Sequence, residues 1–390
     1  MTRRAPYHDV VVATPVTIPY VRFSIKGAHW FLGRAVAELV KRSGIAKERI
    51  EGLCVSSFTL APDTAIGFSD HIGLSTRWLD FIPLGGACGV VALRRAARAV
   101  QSGDAEIVAC VSGDTNGVDS FRQGTANFSR FARDAVYPMG AGGPNASFAF
   151  LTAYYMRTFG ATPADFGKMC VAQRANALKF PHALFKTPLT LDDYLKARMV
   201  SDPIRLFDCV MPCAGAEGFL VLRRELAEEL GLKYARILAT IERHNTFQSD
   251  PVQFRGGWAL ERDELYAQAG VAPADIDFIE VYDDYPVINM LQLEDLGFCE
   301  KGDAPAFVRA HSMTVDGSFP LNTSGGQLSV GQAGAAGGML GLVEAIRQLT
   351  GEVLGGQVPD AKLGLVSGFG MINYDRGLCS GATILAAANA

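Results

Sequence analysis

Two amphipathic helices are predicted by the spacing of apolar residues, one in each half of the chain. Between residues 90 and 100, and again between 339 and 349, apolar side chains recur every three or four residues and so fall on one helix face. Gly103 and Gly351 follow these stretches, where glycine commonly ends a helix. The apolar positions are Val90, Leu93, Ala97 and Val100 in the first helix, and Met339, Leu342 or Val343, Ile346 and Leu349 in the second.

A buried strand is predicted after each of these helices. The segments "EIVACV" from residue 106 and "KLGLVS" from residue 362 are almost continuously apolar. Such runs are typical of strands that are covered on both faces in a layered α/β fold.

The two halves of the chain also repeat each other. "SGIAKERIEGLCVSSFTLA" from Ser43 resembles "AGVAPADIDFIEVYDDYPV" from Ala269, and "GGACGVVALRRAARAVQSGD" from Gly85 resembles "GGQLSVGQAGAAGGMLGLVEAIRQLTGE" from Gly325. Each half therefore reads as a helix, a strand, a glycine turn, a buried helix and a strand. This pattern predicts two similar α/β halves.

The boundaries of the halves follow from where the repeat begins and breaks. We predict an N-terminal half at 1–245 and a C-terminal half at 246–390. Residues from about 115 to 200 do not follow the repeat, which predicts an inserted loop domain in which substrate contacts are expected.

Composition and charge exclude several classes of protein. The 390 residues are 49% hydrophobic and 19% charged, which is enough to bury a large core. The formal net charge of -4 gives no basic field for nucleic acid or an anionic bilayer. The chain has neither a signal-peptide pattern at its start nor an apolar run of about 18 residues, so we expect a cytoplasmic protein without a membrane span.

The eight cysteines do not form a disulfide or zinc pattern. They are scattered along the chain, which favours a reducing compartment. Cys209 and Cys213 are close in sequence, but no second pair or histidine follows at ligand spacing, so no metal site is predicted.

Cys88 is the candidate nucleophile. It lies in "GGACGVVAL", after two glycines and at the start of the first predicted helix. The helix dipole and the free amides there are expected to lower the pKa of the thiol, and the amides are placed to hold a carbonyl oxygen of the substrate. The alternative is an ordinary buried cysteine.

The second half places polar residues at the positions that mirror this turn. Gln332 lies in the mirrored glycine turn, and "VYDDYP" follows the mirrored strand. If the halves pack about a pseudo-twofold axis, these residues approach Cys88. Alternation sends Tyr282 and Asp284 to one face, although a structurally buried tyrosine is the alternative. Gln332 can donate a hydrogen bond but cannot act as an acid or a base.

Two further residues are weaker candidates. The amide of Gly370 in "SGFG" is a possible second donor to an oxyanion, unless the glycines at 368 and 370 serve only a positive φ. His244 lies at the junction of the two halves and is a candidate to turn toward the site, but a surface histidine is the alternative.

Together these motifs resemble the thiolase superfamily, and most closely its sterol-carrier (lipid-transfer-protein) type, acetyl-CoA acetyltransferase-like branch. The resemblance implies a duplicated five-layered αβαβα sandwich with an inserted loop domain, a homodimer, and chemistry on thioesters with coenzyme A as a substrate rather than a permanently bound cofactor. It covers nearly the whole chain. The motifs are "GGAC", "PLTLDDYLKARMVSDPIRLFDCVMPCAGAEGFLVL", "EVYDDYP", "NTSGGQLSVGQAGAAGG" and the terminal "SGFG".

The resemblance also assigns roles to residues, and the chain has changed two of the family's three reactive positions, those at Gln332 and near Ser367. Cys88 matches the family's acyl-accepting cysteine. Tyr282 stands where thiolases have asparagine and sterol-carrier types histidine, and Gln332 stands at the histidine of the Gly-His-Pro loop. The second catalytic cysteine of thiolases would fall near Ser367, and this chain has no cysteine there.

Three interpretations of function follow from this resemblance. The first is an acetyl-CoA C-acyltransferase-type enzyme that makes or cleaves a β-ketoacyl thioester through acyl-Cys88. The second is a retro-aldol lyase of β-hydroxyacyl thioesters that uses Tyr282 and works with a small OB-fold and zinc-ribbon partner. The third is a non-catalytic thiolase-like subunit. The sequence leaves the acyl chain, the reaction direction and the pathway open.

Overall fold

The structure, a computed structural model, describes residues 5–116, 129, 131, 135–140, 143–374 and 376–390. Its helices in this part of the chain are α1 (Ala28–Ser43), α2 (Ala65–His71), α3 (Cys88–Ser102), α4 (Gly143–Phe159), α5 (Pro163–Lys179), α6 (Leu191–Lys196), α7 (Arg224–Glu229), α8 (Trp258–Ala269), α9 (Pro286–Asp295), α10 (Ala304–Ala310), α11 (Gly326–Val330) and α12 (Gly337–Thr350). Its strands are β1 (Val10–Val21), β2 (Gly52–Ser56), β3 (Trp78–Phe81), β4 (Ile107–Thr115), β5 (Met199–Ser201), β6 (Ile204–Arg205), β7 (Ala214–Arg223), β8 (Tyr234–His244), β9 (Phe278–Glu280), β10 (Leu363–Asn373) and β11 (Arg376–Ala387).

The two predicted central helices are α3 and α12, and both end as expected. Gly103 ends α3 with a φ of 83°, and Gly351 ends α12 with a φ of 67°. A Cβ atom at either glycine would meet nothing within 4 Å, so glycine is favoured there by its left-handed backbone rather than by lack of space.

The sheet confirms the internal duplication. Its nine strands run in the order β3-β2-β4-β7-β1-β8-β11-β10-β9. Strand β2 is parallel to β4, which is antiparallel to β7; in the second half β9 is parallel to β10, which is antiparallel to β11. At the centre of the described sheet, β1 pairs with β8 over residues 11–13 and 234–236. The order therefore reads alike from both ends, apart from the extra edge strand β3.

Alternating side chains on these strands separate the core into layers. In β1, Val10 and Val12 pack into the cluster that contains α3 and α12, whereas Val11 and Ala13 pack into the cluster that contains α1. In the second half, β10 and β11 likewise contribute to the central cluster and to an outer cluster with α8 and α9. The layers are helix, sheet, paired helices, sheet and helix, which confirms the predicted αβαβα fold.

The predicted insertion falls between two adjacent strands of the first half. Between the end of β4 and the start of β7 the described chain forms α4, α5, α6 and a small sheet of β5 and β6. The limits of the halves as separate domains stay a prediction. No helix in the described ranges has the length and apolarity that crossing a membrane requires.

A buried ionic cluster connects the halves in the central layer. Arg347 on α12 is fully buried, donates to Thr17 Oγ1 on β1 at 2.7 Å, and lies 3.8 Å from Glu344 Oε2. Thr17 donates in turn to Glu217 Oε2 on β7 at 2.7 Å. Burial raises the pKa of Glu217 to about 8, although the charge of Arg347 acts in the opposite direction.

We expect Glu217→Gln to become increasingly stabilising as the pH rises. Because the pKa of Glu217 is raised in the folded state, the protonated carboxyl favours folding at low pH. This contribution to the free energy of unfolding is lost as the pH rises from the unfolded pKa near 4.5 to the folded pKa of about 8. The difference in free energy of unfolding between variant and wild type should therefore grow by up to about 1.4 kcal/mol per pH unit over this range. Denaturant unfolding at several pH values measures it, with exposed Glu229→Gln as the control. A pH-independent difference would contradict the prediction.

Candidate active site

The two glycine turns of the duplicated halves meet at Cys88. Cys88 begins α3 directly after the turn Gly85–Ala87, and its side chain is fully buried. A Cβ atom at Gly338 would lie 2.3 Å from the Gly85 carbonyl oxygen and 2.9 Å from Cys88 Sγ. The Cys88 thiol donates to the Ala335 carbonyl oxygen at 3.2 Å. Glycine at 338 therefore permits the close approach that the pseudo-twofold packing requires.

The expected activation of the Cys88 thiol is wrong. Burial raises its pKa to about 12, and hydrogen bonds with Ser56 and Ser112 only partly oppose this effect. The nearby Cys54 and Asp114 raise it further. Removal of the thiolate from water thus outweighs the helix N-terminus, and the resting side chain is a neutral thiol.

Gln332 connects the side chains of Tyr282 and Asp284. Its Nε2 donates to Asp284 Oδ1 at 2.8 Å and to the Tyr282 hydroxyl at 3.3 Å. All three side chains are half-buried. Tyr282 and Asp284, which the alternation placed on one face, both contact Gln332 of the mirrored glycine turn.

Tyr282 is fixed through its backbone and its ring. Gln292 Nε2 donates to the Tyr282 carbonyl at 2.8 Å, and the Tyr282 amide donates to Gln292 Oε1 at 3.3 Å. Ser367 Oγ donates to the same Gln292 Oε1 at 2.6 Å. A Cβ atom at Gly86 would lie 2.2 Å from the Tyr282 ring, so the ring packs directly on the turn that precedes Cys88. Ser367 therefore supports Tyr282 through Gln292.

The electrostatics of this group favour proton transfer at Asp284. Burial and then the charge of Asp283 raise the pKa of Asp284 to about 7, while the hydrogen bond from Gln332 acts to lower it. Burial and the charge of Asp284 hold the pKa of Tyr282 well above 10. Near neutral pH Asp284 can therefore exchange a proton, whereas Tyr282 stays a hydrogen-bond donor.

The neighbouring residues point to the other face, as alternation predicts. Asp283 accepts hydrogen bonds from the amides of Gln327 at 2.9 Å and Leu328 at 3.2 Å, which orients the first turn of α11. Tyr285 donates to Asn145 Oδ1 at 2.5 Å and stacks on Phe148 with ring centroids 4.4 Å apart. These contacts support the loop that carries Tyr282 and Asp284.

Gly370 lies beside the Cys88 turn, but not because of its φ. Neither Gly368 nor Gly370 has a positive φ. A Cβ atom at Gly370 would lie 1.9 Å from the Leu84 carbonyl oxygen and 2.8 Å from Ala87 Cβ. The absence of a side chain is required by close packing, and a donor role for its amide stays a prediction.

The structure does not bring His244 together with the Gln332 group. His244 is exposed at the end of β8, where its Nε2 lies 2.9 Å from Glu242 Oε1. It pairs with Cys379, which pairs with Gly370 on the next strand, so His244 and Gly370 are about 10 Å apart across the sheet. The interpretation of His244 as a surface histidine fits this position.

Sequence reasoning missed Asp114, a fully buried carboxylate beside Cys88. Its partners are Ser57, Phe58 and Thr59 in one loop and the Ala335 amide in the other half. The available signal was its position at the end of the apolar strand "IVACVSGD". No group of three acidic, histidine or cysteine side chains suited to a metal ion occurs within the described ranges.

Known proteins share both the sequence and the architecture. Residues 243–379 match the family described as Thiolase C-terminal domain-like. The chain is 31% identical over 333 residues to the 17-hydroxy-3-oxo-4-pregnene-20-carboxyl-CoA lyase of Mycobacterium tuberculosis, covering 81% of this chain and 85% of the lyase. It is 28% identical over 334 residues to the benzoylsuccinyl-CoA thiolase subunit BbsB of Thauera aromatica, covering 84% of this chain and 86% of that subunit.

The fold is shared with a solved aldolase. The structure of the Ltp2-ChsH2(DUF35) aldolase matches with a TM-score of 0.83 and 26% identity, over 97% of this chain and 98% of the matched chain. The mirrored sheet, the paired helices α3 and α12 and these matches agree. This chain belongs to the thiolase superfamily, in its sterol-carrier-type branch.

Proposed function

We propose that the protein is an enzyme that acts on coenzyme A thioesters and cleaves β-hydroxyacyl thioesters in a retro-aldol reaction. One observation carries this proposal. The Gln332 amide donates hydrogen bonds to both the Tyr282 hydroxyl and the Asp284 carboxylate, while the fully buried Cys88 thiol donates a hydrogen bond to a carbonyl oxygen. The similarity to a CoA-thioester lyase and to an aldolase structure supports the same class of reaction.

The chemistry begins with a base for the β-hydroxyl group. Asp284, with a pKa of about 7, removes the β-hydroxyl proton. The β-carbon becomes a carbonyl, the bond between the α- and β-carbons breaks, and its electron pair forms the enolate of the shorter thioester. The enolate then takes up one proton at its α-carbon. Asp284 gives up the proton that it removed from the β-hydroxyl group, so no net proton is gained or lost. No oxidant and no free coenzyme A are consumed.

Tyr282 is suited to stabilise the oxygen at which charge develops. Its hydroxyl oxygen accepts the hydrogen bond from Gln332 Nε2, so its own hydrogen remains free for the substrate oxygen. Because the pKa of Tyr282 is held well above 10 by burial, the phenol keeps this hydrogen at neutral pH. A fixed donor of this kind lowers the barrier because it needs no reorganisation during the reaction.

A partner protein is part of the proposal. The matched aldolase structure is named for two components, Ltp2 and ChsH2(DUF35). By analogy we propose that this chain works with a small OB-fold and zinc-ribbon protein that helps to bind the acyl thioester. A homodimer of this chain stays a proposal as well.

The second candidate is acyl transfer through Cys88. It is favoured by the position of Cys88 at the start of α3, against the second glycine turn, and by the similarity to a thiolase subunit. It requires the thiol to lose its hydrogen bond to Ala335 and a proton held with a pKa of about 12. The geometry therefore favours the lyase, and no observation favours a non-catalytic subunit.

Product analysis separates the two reactions. The protein is incubated with a β-hydroxyacyl and a β-ketoacyl thioester of the same carbon skeleton, with and without free coenzyme A, and products are followed by liquid chromatography and mass spectrometry. We expect the β-hydroxyacyl thioester to yield a carbonyl compound and a shorter acyl thioester without consumption of coenzyme A. Cleavage of the β-keto compound alone, with one coenzyme A consumed per turnover, would refute the lyase.

A further inference from the structure

Asp114 is a buried charged group that the proposed reaction does not use. It lies near the end of β4 and is fully buried. Its Oδ1 accepts from Ser57 Oγ at 2.7 Å and from the Thr59 amide at 2.7 Å and hydroxyl at 2.6 Å. The Phe58 amide also donates to it, at 2.9 Å. Burial raises the pKa of Asp114, whereas these donors act in the opposite direction, because each of them favours the ionised carboxylate.

The other oxygen of Asp114 reaches into the second half of the chain. Its Oδ2 accepts from the Ala335 amide at 2.7 Å. The carbonyl of the same Ala335 accepts the Cys88 thiol at 3.2 Å. Gly334 makes this possible, because a Cβ atom there would lie 2.2 Å from Asp114 Oδ2. One residue thus connects the carboxylate to the thiol.

We propose that Asp114 is a positioning residue that holds Ala335 against Cys88. It thereby keeps the thiol hydrogen-bonded to the Ala335 carbonyl oxygen and shielded from electrophiles. The charge of Asp114 acts in the same direction, because it disfavours a thiolate nearby. The other groups that face Cys88 are the Cys54 thiol on β2, the Ser56 and Ser112 hydroxyls and the Tyr282 ring. Asp114 is the one carboxylate among these named groups.

Asp114→Asn is expected to release this restraint. Asparagine has one acceptor oxygen, so it can serve either the 57–59 loop or Ala335, and its amino group faces donors at the other. The variant loses the negative charge of Asp114, which favours the Cys88 thiolate. It also loses the hydrogen bond to Ala335, which exposes the Cys88 sulfur. The effect should be specific to Cys88, because Cys54 and Cys110 are also fully buried in the central cluster but make no bond to Ala335.

Cysteine labelling tests this role without any substrate, so its outcome is independent of the proposed reaction. Full-length wild type and Asp114→Asn are treated with iodoacetamide at one pH, and the labelled peptides are quantified by mass. We expect Cys88 to label about tenfold faster or more in the variant, as for a thiol pKa lowered by one unit. The rates at Cys54 and Cys110 should stay at wild-type values.

Two further variants separate the Ala335 contact from the other contacts of Asp114. Ser57→Ala removes a bond on the first loop only, so Cys88 labelling should stay at the wild-type rate. If Asp114→Asn does not fold, Gly334→Ala replaces it, since its methyl group would displace the carboxylate from Ala335. Equal acceleration at all three cysteines, no acceleration at Cys88, or the same acceleration in Ser57→Ala would overturn the proposal.

Discussion

Tyr282→Phe is expected to lower kcat for carbon–carbon cleavage by roughly 10²- to 10⁴-fold, the usual contribution of a positioned proton-handling group. The substitution removes the hydroxyl that accepts from Gln332 Nε2 at 3.3 Å and that donates to the substrate oxygen in the proposed reaction. The ring is kept, so its packing on Gly86 and the backbone bonds to Gln292 remain. Steady-state kinetics with a β-hydroxyacyl thioester measure the loss, and circular dichroism checks that the variant is folded.

The matched control for this substitution is Tyr234→Phe. Tyr234 lies at the start of β8 and bonds to Glu228 on the surface, away from Gln332. Its variant should have the wild-type kcat. If Tyr282→Phe also kept the wild-type kcat, the role of its hydroxyl in the reaction would be wrong.

Asp284→Asn is expected to cause a loss of similar size, about 10²- to 10⁴-fold, and to change the pH dependence. A general base acts in its deprotonated form, so kcat/KM of the wild type should rise with pH through about 7, the pKa to which burial raises Asp284, and then level off. Asparagine cannot titrate, so the residual activity of the variant should lack this rise. Rates measured from about pH 5.5 to 8.5 test both points.

A control isolates Asp284 from the other titrating groups. Burial also raises the pKa of Asp283 to about 6, but this carboxylate holds the amides of Gln327 and Leu328 and faces away from Gln332. The Cys88→Ala variant keeps both aspartates and should keep the wild-type pH profile. An unchanged rise near pH 7 in Asp284→Asn would assign the titration to another group.

The sequence predicted those features that depend on local patterns and on the repeat. The glycines at 103 and 351 mark real helix ends, and the duplication correctly gave the mirrored sheet. Alternation along "VYDDYP" placed Tyr282 and Asp284 together on the Gln332 side. Period and symmetry can be read from one chain because neighbouring residues determine them.

The features that were missed depend on contacts between distant segments. The pKa of the Cys88 thiol is raised chiefly by complete burial, and the thiol donates its hydrogen bond to Ala335, which is 247 residues away in the chain. Asp114 works through a bond to the same Ala335. His244 was a candidate for the site, but the register of β8 with β11 leaves it exposed and separated from Gly370 by the strand β11. Desolvation and register arise from packing, and the residue pattern does not encode them locally.

The central claim is that this site breaks a carbon–carbon bond with Tyr282 and Asp284 and without an acyl group on Cys88. The most direct test compares wild type and Cys88→Ala for cleavage of one β-hydroxyacyl thioester, while the mass of the Cys88 peptide is followed in the wild type during turnover. We predict equal cleavage rates and an unmodified Cys88. A Cys88→Ala variant without activity, together with an acyl adduct on Cys88 of the wild type, would contradict it.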